Sequence, residues 1–222
     1  MNVYLVIALC FIPLILVFPI TLISTKLPIL KGLLALILGL FSVVPIAFFQ
    51  YLIVDILPKS NNGILLLFLQ TLIFAGLLEE GLKFVIEFLF PSKKLSLKQF
   101  MALALIFGIT LGCFESVVYY LNCLQRSSQK NADLIYSLIF MRMISSDLIH
   151  MLCAGLSAFS VYMIKNKRFF ISPIIISILI HGIFDLFVYF QNPIHFFAIA
   201  AVLFAAIELR VKYSSAKERL NS

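Results

Sequence analysis

Long apolar runs separated by short polar breaks extend along almost the whole chain. Several runs reach the roughly 20 residues that a helix needs to cross the hydrocarbon core of a bilayer. The pattern therefore predicts an all-α, polytopic membrane bundle with about seven transmembrane helices. The predicted spans are 3–24, 32–57, 63–90, 99–122, 134–164, 170–190 and 193–212. They form one integral-membrane domain, 1–212, followed by a polar tail, 213–222, with the composition of a disordered segment.

Two predicted spans, the third and the fifth, are longer than a perpendicular crossing requires, so we expect them to tilt or to project from the hydrocarbon. Between the last two spans, Gln191-Asn192-Pro193 indicates a tight reversal. The other breaks are also short, and no loop is long enough for a soluble domain.

Composition supports the membrane class. The 222 residues are 63% hydrophobic and 12% charged, whereas soluble domains are about half apolar and about a quarter charged. A transmembrane barrel would show segments of about ten residues with alternating polarity, and these are lacking. The four cysteines have no CxxC spacing and three lie in apolar runs, so we expect free thiols.

The basic residues indicate an orientation in the membrane. Twelve Lys and Arg lie in or beside the odd-numbered connections and the tail, and three lie on the opposite side: Lys59, Arg126 and Lys130. By the positive-inside rule the amino terminus faces out and the carboxyl tail faces the cytoplasm. Because the net charge of +7 resides in these connections, it predicts contact with membrane lipid and no nucleic-acid partner.

The third span contains Glu79, Glu80 and Lys83 in an apolar run. A charged residue at mid-span costs roughly 2.5–3.5 kcal/mol on insertion scales, so a compensating reason is required. Lys83 lies one helical turn after both glutamates and can neutralise one of them. Adjacent helical positions point about 100° apart, so the other glutamate can face a site. The spacing leaves open which glutamate does which.

The next three spans also contain ionisable residues. The fourth has Glu115 followed one turn later by Tyr119, the fifth has Arg142, Asp147 and His150, and the sixth has His181 and Asp185. Asp147 lies one turn before His150, where it could orient the ring, and Arg142 and Asp147 are both expected to be charge partners. Glycines near these residues allow close helix contact: Gly76, Gly108, Gly112, Gly155 and Gly182.

A single cavity shared by these residues is a hypothesis. From the rise of a helix, Glu115 and His181 lie about 10 and about 13 Å from the outer ends of their spans. Glu80 and His150 lie about 25 Å from the ends of theirs.

Two chemistries fit this set of side chains. Two imidazoles and a carboxylate can bind zinc with one position left open, while a further glutamate accepts a proton during peptide hydrolysis. A buried glutamate can also act as a general base without metal, with histidines stabilising the oxyanion. The sequence contains neither HExxH nor GxGD, and the region after Gly155 does not match GxSG, which disfavours the zincin, aspartyl and rhomboid types.

Three short motifs occur in order on successive spans. They are E-E-x-x-K at 79–83, F-E-x-x-x-Y at 114–119 and H-x-x-x-D at 181–185. Together they resemble the PrsW family, and His150 occupies the place of its further histidine motif. The related CAAX-protease and bacteriocin-processing superfamily is also similar, but its E-E-x-x-x-R is missed by one residue and its F-x-x-x-H is not found.

The resemblance implies a peptidase embedded in the bacterial plasma membrane as a multi-pass protein. Such proteases are typified by site-1 cleavage of a membrane-bound, single-span anti-sigma factor in signalling by regulated proteolysis. Carried over by motif, the catalytic candidates are Glu79, Glu80, His150 and His181, with Glu115 and Asp185 in support. The metal candidates are Glu80, His150 and His181, and zinc is the ion that the resemblance suggests.

A transporter is the alternative from a different functional class. Ion- or proton-coupled carriers also place acids and histidines inside membrane spans. That alternative predicts inverted repeats and broken helices, and no internal duplication is evident in the sequence.

Overall fold

The structure, a computed structural model, describes residues 2–54, 63–93, 95–126, 132–190 and 193–221. Within these residues every regular element is helical, and seven helical spans are long and apolar enough to cross a membrane. The predicted all-α class and the number of spans are therefore confirmed. Cys10, Cys113 and Cys153 are buried thiols. The spans are Val3–Thr25, Ile29–Ile53, Ile64–Glu87, Leu97–Gln125, Ile135–Lys165, Ser172–Tyr189 and Ile194–Asn221.

Ten α-helices, one π-helix and one 3₁₀-helix build these spans. The first four α-helices are α1 Val3–Cys10, α2 Ile12–Thr25, α3 Ile29–Val54 and α4 Ile64–Thr71. The π-helix Leu72–Glu79 joins α4 to α5 Glu80–Glu87 within the third span. The others are α6 Leu97–Arg126, α7 Ala132–Ile144, α8 Ser146–Lys165, α9 Ser172–Tyr189, the 3₁₀-helix Ile194–Phe196 and α10 Phe197–Asn221.

The two longest predicted spans contain irregular backbone. In the fifth span, Ser145 leaves the helical conformation (φ −130°, ψ −74°) and separates α7 from α8. In the third span the π-helix ends at Glu79, and π-helical turns frequently occur at functional sites. The break at Ser145 places His150 within the first two turns of α8. The count of depth along one unbroken helix therefore does not apply to His150.

The carboxyl-terminal tail differs from its prediction as a disordered segment. The seventh span continues as α10 to Asn221. Its polar end packs on the bundle: Ala216 is buried, the Tyr213 ring lies 6.2 Å from that of Phe159, and the Arg219 guanidinium lies 4.6 Å from the centre of the Phe170 ring. These contacts stabilise a helix that composition alone does not predict.

Some sequence predictions fall outside the described residues. They include Lys59, Lys94 and Lys130 of the charge count, the break Pro58–Asn62, and Gln191 and Asn192 of the reversal. Of that reversal the structure describes Pro193, which forms a turn before the 3₁₀-helix. The orientation of the termini remains a prediction.

Glycines allow the spans that carry ionisable residues to approach closely, as predicted. A Cβ added at Gly108 would lie 2.7 Å from the Cβ of Ala154, and one at Gly112 would lie 2.8 Å from the Cα of Asp147. Both contacts hold α6 against α8, the two helices at the centre of the bundle. In the same way, a Cβ added at Gly76 of the π-helix would lie 2.6 Å from the carbonyl oxygen of Ile178.

A methyl group at Gly108 should destabilise the protein. Gly108→Ala forces α6 away from α8, and overpacking of this kind costs about 1–3 kcal/mol. The apparent midpoint of thermal unfolding in detergent should fall. Gly81→Ala is the matched control, because a Cβ at Gly81 meets nothing within 4 Å and a helical Gly→Ala change favours the helix by about 1 kcal/mol. A Gly108→Ala protein as stable as the control would contradict this packing.

Candidate active site and metal centre

Ionisable side chains from the third to sixth spans meet around one cavity of about 610 Å³. The cavity is lined by Glu79, Glu115, His150, His181 and Asp185, among others. The sequence hypothesis of a shared cavity is thus supported for five of the six catalytic candidates. The sixth, Glu80, is fully buried beside it.

Glu80 is held by three neighbours. Lys83, also fully buried, places its Nζ 2.5 Å from Oε1 of Glu80. Ser177 donates its hydroxyl to Oε2 at 2.6 Å, and His181 places Nδ1 2.6 Å from Oε1. Burial of a charged side chain has a high free-energy cost unless the charge is paired and hydrogen-bonded. Glu80 is therefore the glutamate that Lys83 neutralises.

Glu79 faces the cavity and is oriented from the second span. Gln50 donates its side-chain amide to Oε1 of Glu79 at 2.7 Å. The other oxygen, Oε2, lies 4.0 Å from Nε2 of His181. Sequence reasoning missed Gln50, whose only signal was an amide within an apolar span.

The two histidines are fixed by different partners. His181 donates Nδ1–H to the Glu80 carboxylate, which leaves the Nε2 lone pair directed toward Glu79. His150 accepts from Lys83 at Nδ1 (3.0 Å) and places Nε2 2.5 Å from Oε2 of Glu115. The two rings lie nearly perpendicular, with centroids 4.8 Å apart. Lys83 and Glu115 thus orient His150.

Asp147 does not have the predicted role of orienting His150. Its Oδ1 accepts the hydroxyl of Ser116 at 2.7 Å, and Ser116 in turn accepts Nε–H of Arg142 at 2.9 Å. Arg142 also lies 3.3 Å from Glu115, and its guanidinium stacks 4.7 Å from the centre of the Tyr119 ring. The expectation that Arg142 is a charge partner agrees with these contacts.

Three residues on this cavity could hold a metal ion. Glu79, His150 and His181 offer ligand atoms that all lie within 4.8 Å of one another. Ligands of a tetrahedral zinc ion lie roughly 3.4 Å apart, given bonds of about 2.0–2.2 Å. Small side-chain shifts would therefore bring a two-histidine, one-carboxylate set around an ion, and the donor set fits the group.

This set differs from the sequence prediction in one member. Glu80 was the predicted carboxylate ligand, but its oxygens are occupied by Lys83, Ser177 and His181. Glu79 takes its place in the group of three. Glu115 and Asp185 lie on the cavity wall outside that group.

Comparison with known proteins identifies the family. The model of the PrsW family intramembrane metalloproteases matches residues 28–208, most of the chain. Searches of curated proteins and of solved structures gave no match. The matched region contains the third to sixth spans, which carry the ionisable cluster, and the second span, which carries Gln50. On this match, the chain belongs to the PrsW family of intramembrane metalloproteases.

Proposed function

We propose that this intramembrane peptidase hydrolyses a peptide bond of a single-span membrane protein at a metal site formed by Glu79, His150 and His181. The observation that carries the proposal is the convergence of these three side chains, from three different spans, on one cavity. A histidine pair with one carboxylate is typical of catalytic zinc sites that keep a position open. Zinc is therefore the ion that we propose.

The bound ion and the other charged residues of the site have separate proposed roles. When bound, the ion would supply Lewis-acid activation of water and of the peptide carbonyl. Glu115 is the proposed general base, because it lines the cavity, is 37% exposed and contacts His150. Glu80 holds His181 in the tautomer whose Nε2 faces Glu79, and Lys83 balances the charge of Glu80.

A metal-free mechanism uses the same geometry with different roles. In that case Glu79 is the general base and the histidines stabilise the oxyanion. The His150 contact with Glu115 bears on the choice, because a ligand role for Nε2 requires His150 to give up that contact. Membership of a family of metalloproteases favours the metal.

For the substrate we propose an anti-sigma factor in the bacterial plasma membrane, cut at site 1 to start signalling. The cavity runs from the buried cluster to Tyr189 and His195, where the sixth span ends and the seventh begins. The positive-inside rule predicts that this end of the bundle lies outside the cytoplasm. Cleavage near the extracytoplasmic face follows from the two together.

A coupled transporter is the second candidate. The breaks in the first, third and fifth spans are a feature that it predicts. A cluster of two histidines and a carboxylate in a family of proteases favours hydrolysis instead. An ion flux through proteoliposomes that Glu79→Gln abolishes, without any cleavage by the wild type, would favour the transporter.

Loss of the metal-binding side chains should abolish cleavage. We expect Glu79→Gln and His181→Ala each to reduce the rate at least about 100-fold, since each removes a group acting on the reacting atoms. The assay co-expresses the protein with tagged single-span anti-sigma factors and follows their fragments by mass spectrometry. Glu208→Gln is the control, because Glu208 pairs with Lys212 on α10, away from the cavity. Cleavage by all variants at the wild-type rate, with equal expression, would refute the assignment.

Gln50 should act by positioning Glu79. Gln50→Leu removes the only hydrogen bond described for Oε1 of Glu79, and comparable changes beside metal ligands cost about 10–100-fold in activity or metal affinity. We expect kcat to fall in this range while KM changes little. Ser42→Ala is the matched control on the same span, because Ser42 is buried and bonds its own helix at Gly39. Equal kcat values for Gln50→Leu and Ser42→Ala would show that Gln50 has no positioning role.

A further inference from the structure

The cavity interrupts the packing of the spans on one side. The third span packs against the sixth, the second packs against the third and fourth, and α7 packs against the fourth. In the described part of the chain, by contrast, α7 and α9 have few or no contacts with each other. The cavity occupies this position, with α7 on one side and α9 on the other.

Side chains on the two sides of this interruption are largely apolar. Helix α7 contributes Leu138 and Met141, and α9 contributes Val188 and Tyr189. Val188 and Tyr189 are exposed, as lipid-facing residues of a span are. The imidazoles of His150 and His181, by contrast, are buried, at the cluster described above. A path from an apolar rim to a polar floor thus runs between α7 and α9.

We propose that α7 and α9 form the lateral entrance through which one membrane-spanning segment of a protein substrate reaches the active site. The inference rests on the proposed function and adds the surface that binds the substrate. The partner is an apolar span whose part inside the cavity has lost its helical hydrogen bonds.

The size of the cavity limits what can enter. A whole span is a cylinder about 30 Å long and about 10 Å wide, or roughly 2,400 Å³. The cavity of about 610 Å³ therefore accepts only part of a span. The rest of the substrate must stay outside, against the rim, which an opening toward lipid permits.

The polar wall suits an unwound segment. A peptide carbonyl inside an α-helix is hydrogen-bonded, and freed backbone groups in the membrane need new partners. Thr71, Tyr119, Ser145 and His195 line the cavity. The hydroxyls of Thr71 and Ser145 donate to their own helices and can accept from a freed N–H, whereas Tyr119 and His195 can donate to a freed carbonyl. A span that contains a helix-breaking pair of residues, such as Gly-Pro, should therefore bind here better than a continuous helix.

A second groove serves as the comparison. It lies between α9 and α10, has a volume of about 420 Å³ and is lined almost wholly by apolar residues, including Leu179 and Phe204. Leu179 and Val188 are on the same helix and are similarly exposed, at 42% and 39%. They differ in the groove that they line.

Photo-crosslinking tests the entrance. Benzoylphenylalanine is placed at Leu138, Val188 or Leu179 of the full chain in liposomes. The probe is a biotinylated peptide with one span of about 20 Leu and Ala residues and a Gly-Pro pair in its outer half; a second peptide lacks that pair. We expect at least fivefold more crosslinking of the Gly-Pro peptide at Leu138 and Val188 than at Leu179, and less labelling by the continuous helix.

Equal or greater crosslinking at Leu179, or none at Leu138 and Val188, would overturn the entrance. Cleavage of the same peptide is followed separately with the unmodified protein. Crosslinking at Val188 without cleavage would support the entrance and count against the proposed hydrolysis of such spans. Cleavage with labelling only at Leu179 would support the protease function and contradict the entrance between α7 and α9.

Discussion

The buried ion pair of Lys83 and Glu80 is the contact on which the rest of the site depends. Lys83 reaches Nδ1 of His150 as well as Glu80, and Glu80 reaches Nδ1 of His181. One pair on the third span thus orients imidazoles from the fifth and sixth spans. A buried ion pair contributes little net stability once desolvation is counted. Its role here is to fix the geometry of the histidines.

Close packing makes this arrangement attainable. At Gly76 on the π-helix, the third span approaches the sixth more closely than a larger residue would permit, and Gly112 does the same for the fourth and fifth spans. With Glu80 turned toward Lys83, the preceding Glu79 points into the cavity, and Gln50 of the second span hydrogen-bonds its carboxylate. A division of labour between adjacent glutamates follows from their angular separation on the helix.

Much of the fold could be predicted from the sequence, since apolar runs of sufficient length determine the spans. The cost of charge in a membrane also singled out the residues that now line the cavity. The roles of Glu79 and Glu80 could not be assigned from the sequence. Helical periodicity gives the angle between the two side chains, but it does not show which residues of other spans each one contacts. Gln50 belongs to no motif, and the break at Ser145 and the helical tail depend on tertiary contacts that local composition does not reveal.

In the proposed metal site, Glu79, and not Glu80, joins His150 and His181 as a ligand. X-ray absorption at the zinc edge, combined with metal content, tests it on purified wild type, Glu79→Gln and Glu80→Gln. We expect about one zinc per wild-type chain, with nitrogen and oxygen ligands at about 2.0–2.2 Å. We expect loss of the ion in Glu79→Gln, and about 10–100-fold weaker binding with an unchanged ligand set in Glu80→Gln. An active wild type without stoichiometric metal, or a Glu79→Gln protein with the wild-type spectrum, would contradict it.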